Sequence, residues 1–179
     1  NYAVYIDQMI GEHPDYKLGS TIIKFDNNFQ KELINFFSQI KKYLNLNVKI
    51  CPHPKRKKSG KSIYKRRLNI KKSNYQLIKN CKMVMGHDSA AISLAIIFKK
   101  PLIFIVSDTI KNENKINRIN QYAKFFKQKP FNISRDLQDR LNKDMFIYNS
   151  CAYKRYFDNF IKHPKSEKLK ISEQIIKGL

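Results

Sequence analysis

Residues 83–106 read MVMGHDSAAISLAIIFKKPLIFIV, and this stretch decides the fold. Met83-Val84-Met85 is a short apolar run that stops at Gly86. Residues 89–98 then carry apolar side chains at helical spacing, and Pro101-Leu102-Ile103-Phe104-Ile105-Val106 is apolar without alternation. An uninterrupted apolar strand is the mark of burial on both faces, the condition of a parallel sheet covered by helices. The segment is therefore a strand–turn–helix–strand unit, and its neighbours extend the same alternation.

Working outward, residues 3–6 (Ala3-Val4-Tyr5-Ile6) make a first buried strand, and Phe29, Leu33, Ile34, Phe36, Phe37, Ile40 and Leu44 recur on one helical face. Val48-Lys49-Ile50-Cys51 is a second strand, stopped by Pro52. A short helix is expected around residues 74–80, and further helices at about 113–127, 134–143 and 152–162. Strands alternating with helices in this way predict a Rossmann-like, doubly wound parallel α/β domain.

In an open parallel sheet, ligands bind outside the carboxyl ends of the strands. The polar residues worth weighing fall at those ends: Asp7, then His53, then His87-Asp88-Ser89, then Ser107-Asp108. The turn from Gly86 into small residues at Ser89-Ala90-Ala91 would let a phosphate approach backbone amides, with the Ser89 hydroxyl adding a donor. The alternative is that Asp88 or Ser89 only caps the helix and the alanines pack on the sheet. His53-Pro54-Lys55 holds an imidazole just past a strand, where it can donate to a phosphate oxygen or protonate a leaving group, with Lys55 adding charge. Against this stands a purely structural histidine. Asp7 is a candidate base or acceptor-orienting carboxylate, and His13 with Asp15 are weaker candidates in the following loop. The run Lys57-Lys58-Ser59-Gly60-Lys61 lacks the first glycine of a P-loop and the strand in front of it, so it is read as a solvated loop.

The chain has 179 residues, 42% of them hydrophobic, enough for one sizeable core. Its formal net charge is +22, carried by 29 lysines and 7 arginines, and part of that excess reflects a Lys-, Asn- and Ile-rich background. Fifteen basic and no acidic residues lie between Glu32 and Asp88, a segment expected to attract a polyanion. Cys51, Cys81 and Cys151 form no CxxC pair and suit reduced thiols rather than a metal site. With no apolar run long enough to span a bilayer, a cytoplasmic protein is expected, with a peripheral position at the inner membrane as the second option. Opening on Asn1 in an apolar stretch, the chain reads as a piece of something longer.

Taken together, Val48-Lys49-Ile50-Cys51-Pro52-His53-Pro54-Lys55, Tyr75-Gln76-Leu77-Ile78, Met83–Ser89 and Lys100-Pro101-Leu102-Ile103 resemble the C-terminal donor-binding domain of GT-B glycosyltransferases. With Tyr5-Ile6-Asp7-Gln8 and His13-Pro14-Asp15 at the front, the chain resembles bacterial surface-carbohydrate proteins of capsule and O-antigen synthesis. The likeness covers residues 3–106. It implies one half of a GT-B fold, with residues 1–165 as the donor domain and its C-terminal helices, 166–179 as a polar tail, and the N-terminal acceptor domain absent. By likeness to His-Pro sialyl- and Kdo-transferases, it implies that His53 holds the donor phosphate or stabilises the leaving group. Lys55, His87, Asp88, Ser89 and Ala90 would line the phosphate site, and Asp7 would join His53 as catalytic. The implied substrates are a nucleotide-sugar, CMP-linked by preference, and a glycan or glycolipid acceptor, handled without metal or other cofactor. Where relatives have paired hydroxyls, this chain has Ser89-Ala90. The same motifs resemble teichoic-acid polymerases that use a CDP-linked glycerol donor. From other classes come a nucleic-acid-binding module, disfavoured for want of any known signature, and a scaffold resting its basic face on anionic lipid.

Overall fold

The computed structural model describes residues 1–10, 28–55, 73–135 and 140–166. Five parallel strands form the sheet: β1 (Tyr2–Ile6), β2 (Asn47–Cys51), β3 (Met83–Gly86), β4 (Leu102–Val106) and β5 (Phe131–Asn132). Their order is β2-β1-β3-β4-β5. Helices α1 (Asn28–Leu44), α2 (Asn74–Lys79), α3 (Ile92–Ile97), α4 (Glu113–Phe125) and α5 (Ser150–Tyr156) surround it, and α5 runs on into a π-helical turn at Phe157–Ile161. This is a Rossmann-like doubly wound α/β fold.

The layering follows from connection handedness. A right-handed crossover from β1 leftward to β2 puts α1 on one face, and every later crossover runs rightward and puts its helix on the other. The two cores divide accordingly. On one face Phe29, Leu33, Phe36, Phe37 and Ile40 of α1 pack on Tyr5, Ile50 and Met85. On the other, Leu77, Ile92, Ala95, Ile119 and Tyr153 pack on Val4, Val84 and Phe104. Burying a side chain such as Phe36 or Leu33 contributes about 1.5–3 kcal/mol relative to leaving it exposed.

Caps set several boundaries. The side chains of Ser73, Asn112 and Asn149 accept the amides of Gln76, Lys115 and Ala152 in the first turns of α2, α4 and α5. Asn45, Lys99 and Lys127 adopt positive φ just beyond α1, α3 and α4, the left-handed turn that commonly stops a helix.

Some expectations are corrected. Helix α3 begins at Ile92 rather than residue 89, because the Ile92 and Ser93 amides bond back to the carbonyls of Ser89 and Ala90, a tighter turn than α. Of the helix expected at 134–143, residues 136–139 lie outside the described residues; residues 134, 135 and 140 lie in turns, and a 3₁₀ turn spans Lys143–Phe146. Strand β5 is only two residues long, too short to leave a periodic trace. Gly86 is not needed by the turn that follows it. A Cβ there would meet Ile6 Cβ at 3.5 Å, an ordinary contact.

Candidate functional site

Because β1 leads leftward to β2 while β3 lies on its right, the connections leave the β1/β3 pair in opposite directions. The topological switch point, where doubly wound folds open a crevice, lies between their carboxyl ends. The chain places Asp7-Gln8 on one side of this point and His87-Asp88-Ser89 on the other, with His53 beyond β2 and Ser107 beyond β4.

His87 is not at the surface of that crevice. It is 0% exposed, with Nδ1 2.8 Å from the Ile105 carbonyl and Nε2 3.1 Å from the Tyr5 hydroxyl. The carbonyl can only accept, so Nδ1 carries the proton, and the neutral ring accepts from Tyr5 at Nε2. Burial, and then the positive charge of Lys115, push its pKa down to about 3. The expected phosphate-binding role of His87 is therefore corrected: it is a neutral strut joining β1, β3 and β4.

Asp88 also turns inward. Its side chain is 4% exposed and is held by the Lys115 ammonium on one oxygen and by Arg118 Nε at 2.8 Å on the other. Burial alone would raise its pKa, but Lys115 and then Arg118 hold it below the usual carboxylate range. Lys115 is equally buried, and its Nζ donates to Gln8 Oε1 at 3.0 Å. Asp88 thus pins the start of α4 to the turn after β3, and Lys115 carries the link across the switch point to Gln8 in the loop after β1. Two cations, Lys115 and Arg118, face the Asp88 carboxylate, one on each oxygen.

The Ser89 Oγ accepts the Ala91 amide at 3.2 Å, the capping alternative realised as a local turn. In that bond the hydroxyl is only an acceptor, which leaves its proton for a ligand oxygen. Ser89 is half-buried and Ala90 exposed, both on the crevice side of the turn. The amides of Ala91, Ile92 and Ser93 already have partners, so the cradle of backbone donors is smaller than expected.

Asp7 is 3% exposed, and its Oδ1 accepts the amide of Met9, a residue held at φ 51°. That bond stabilises a left-handed turn that a non-glycine residue adopts at a cost of about 1 kcal/mol. Asp7, the expected catalytic carboxylate, is thus buried and engaged in its own loop. Cys51 lies beside it, its thiol pushed up to about 12 by burial and by the Asp7 charge, and is inert.

His53 is half-buried past β2, and its Nδ1 accepts the Lys55 amide at 3.2 Å. The second His-Pro-Lys tripeptide repeats this bond: the Lys165 amide donates to His163 Nδ1 at 3.2 Å. The tripeptide itself thus sets the tautomer, making Nε2–H the donor, and His53 differs from His163 in lying at the sheet edge. Lys55 is exposed beside it. His13, Asp15 and the basic run Lys57–Lys61 lie outside the described residues.

One cluster was missed by the sequence reading. Glu32 Oε2 accepts from the hydroxyls of Ser107 at 2.5 Å, Ser134 at 3.0 Å and Thr109 at 3.3 Å, tying α1 to the ends of β4 and β5. A signal existed: Glu32 is the sole acidic residue from Asn28 to His87. Lys115 had none, because a lysine in the first turn of a polar helix reads as solvated. Among the described residues no group of three or more His, Cys, Asp or Glu side chains could hold a metal ion, and no helix is long and apolar enough to cross a membrane. Compared with known proteins, the chain matches no family model and no curated protein.

Proposed function

We propose that this domain binds the nucleotide-activated sugar of a glycosyltransferase for bacterial surface polysaccharide, at the crevice between β1 and β3. The observation that carries the reading is the switch point itself, with Ser89 on its rim and His53 one strand further along the same carboxyl edge. In this reading His53 Nε2–H and the Ser89 hydroxyl donate to the donor's phosphate oxygens, and Lys55 and the exposed Ala90 turn flank them. Arg118, largely exposed beside Asp88, adds a cation to the same group. As the sugar–phosphate bond breaks, negative charge grows on the phosphate, and fixed donors aimed there stabilise the transition state more than the bound substrate. A CMP-linked donor is preferred, on the resemblance of the His-Pro and serine-turn motifs. His87 and Asp88 act behind the site: they hold the turn that presents Ser89.

Calorimetric titration with CMP, CDP, UDP and GDP at low and moderate salt tests this. A cytidine nucleotide is expected to bind selectively, with His53→Ala and Ser89→Ala each weakening it about tenfold or more, the value of a charge-assisted hydrogen bond. Equal, salt-sensitive binding of all four nucleotides, unchanged by either substitution, would overturn the site.

A further inference from the structure

The helical face away from α1 carries an aromatic groove that the nucleotide site does not use. Gln121, Tyr122 and Phe125 of α4 face Tyr156 and Phe160 across a hollow of about 190 Å³. Phe160, on the π-helical turn, is 66% exposed, and half-buried Phe157 and Ile161 flank it on the same turn. From this turn Phe160 keeps ring contacts with Phe125 and Tyr156. Single exposed apolar residues are ordinary, but a solvent-facing phenylalanine at the mouth of an apolar hollow is not.

Charge surrounds it. Residues 118–129 contribute Arg118, Lys124, Lys127 and Lys129 with no acidic residue, and residues 154–165 contribute Lys154, Arg155, Lys162 and Lys165 against Asp158 alone. Asp158 is itself engaged by Lys154. An apolar centre ringed by flexible cations matches the boundary of an anionic bilayer, where rings enter the headgroup region and lysines meet phosphates.

Stacked nucleic-acid bases fit less well, because they need open ring faces. The Arg155 guanidinium covers Phe125 at 4.3 Å, and Tyr156 and Phe160 pack against each other with centroids 5.0 Å apart. The hollow between these rings suits an acyl chain or glycerol backbone.

We propose that this groove is a peripheral docking surface for anionic phospholipid, with Phe160 as the inserted side chain and Lys124, Lys127, Arg155 and Lys162 as the electrostatic ring. The proposal stands independently of the nucleotide site. It would set the domain on the leaflet from which a lipid-linked acceptor could be reached.

The chain contains no tryptophan, so Phe160→Trp installs a single reporter. Phe160→Trp is expected to bind phosphatidylglycerol-containing vesicles with a blue-shifted emission and to ignore pure phosphatidylcholine. Phe160→Asp should weaken co-sedimentation with anionic vesicles about tenfold, and Lys124→Gln about fivefold. Nucleotide titration of the same variants should be unchanged, which separates failure here from failure of the donor site. Three results would overturn the proposal. One is vesicle binding that ignores Phe160→Asp, and another is a Phe160-dependent dimer that does not bind vesicles. The third is single-stranded RNA binding that depends on Phe160 while vesicles are left alone.

Discussion

Asp88→Ala is expected to destabilise the domain by about 3–5 kcal/mol, because it strands the Lys115 ammonium in the interior with only Gln8 for a partner. For a chain of this size that loss lowers the melting temperature by roughly 10 °C. Lys115→Met should cost less, since Asp88 keeps Arg118, and Arg118→Ala less again, under about 1 kcal/mol, because that guanidinium is 60% exposed. The double variant Asp88→Ala/Lys115→Met removes both buried charges and should recover more than half of the Asp88→Ala loss. Denaturant titrations of the four proteins make the check. If the double variant were no more stable than Asp88→Ala, a stranded Lys115 charge would not be the source of the loss, and the ion pair would not be what holds α4 to the turn after β3.

The second large effect belongs to His87. His87→Ala removes the partners of both the Tyr5 hydroxyl and the Ile105 carbonyl and opens a cavity, together about 3–4 kcal/mol. The same residue sets an acid limit. Its folded pKa, about 3, lies below the ordinary 6.5, so between those values the unfolded chain binds a proton that the folded chain refuses. The stability it contributes is present above about pH 6.5 and falls as pH drops toward 3, by up to about 1.4 kcal/mol per unit. Asp88 adds to the loss only at the acid end of this window, because a carboxyl held below its ordinary 3.8 withdraws its contribution as pH falls through that range. His87→Gln, which cannot be charged, should flatten the slope of stability against pH between about 6 and 4. An unchanged slope would show that the imidazole is not held neutral in the core.

How much of this was legible in the chain differs between fold and site. The apolar runs at 83–85 and 101–106, and the helical face from Phe29 to Leu44, identify a parallel α/β sheet because burial on two faces demands uninterrupted apolar residues. They also locate the strand ends, so His53, Ser89 and Asp7 were found at one sheet edge before any coordinates. Missing from that reading was direction. His87, Asp88 and Ser89 are consecutive and equally polar in sequence, yet one points into the core, one into an ion pair and one to the crevice rim. Sequence neighbours across a tight turn diverge by steps that no periodicity records.

By itself, then, the sequence determined the class of fold, the polar residues at the strand ends and the excess of positive charge. Those properties depend on local pattern and composition, which each residue carries wherever the chain goes. Only the tertiary structure decided that His87 is a neutral strut, that Asp88 is spent on Lys115 and Arg118, that Glu32 gathers three hydroxyls from two strand ends, and that Phe160 stands exposed at a groove. Each depends on partners far away in the chain, up to 102 positions apart for Glu32 and Ser134. The protonation and exposure of a polar group are set by what surrounds it in space, and that is settled only when the chain has closed.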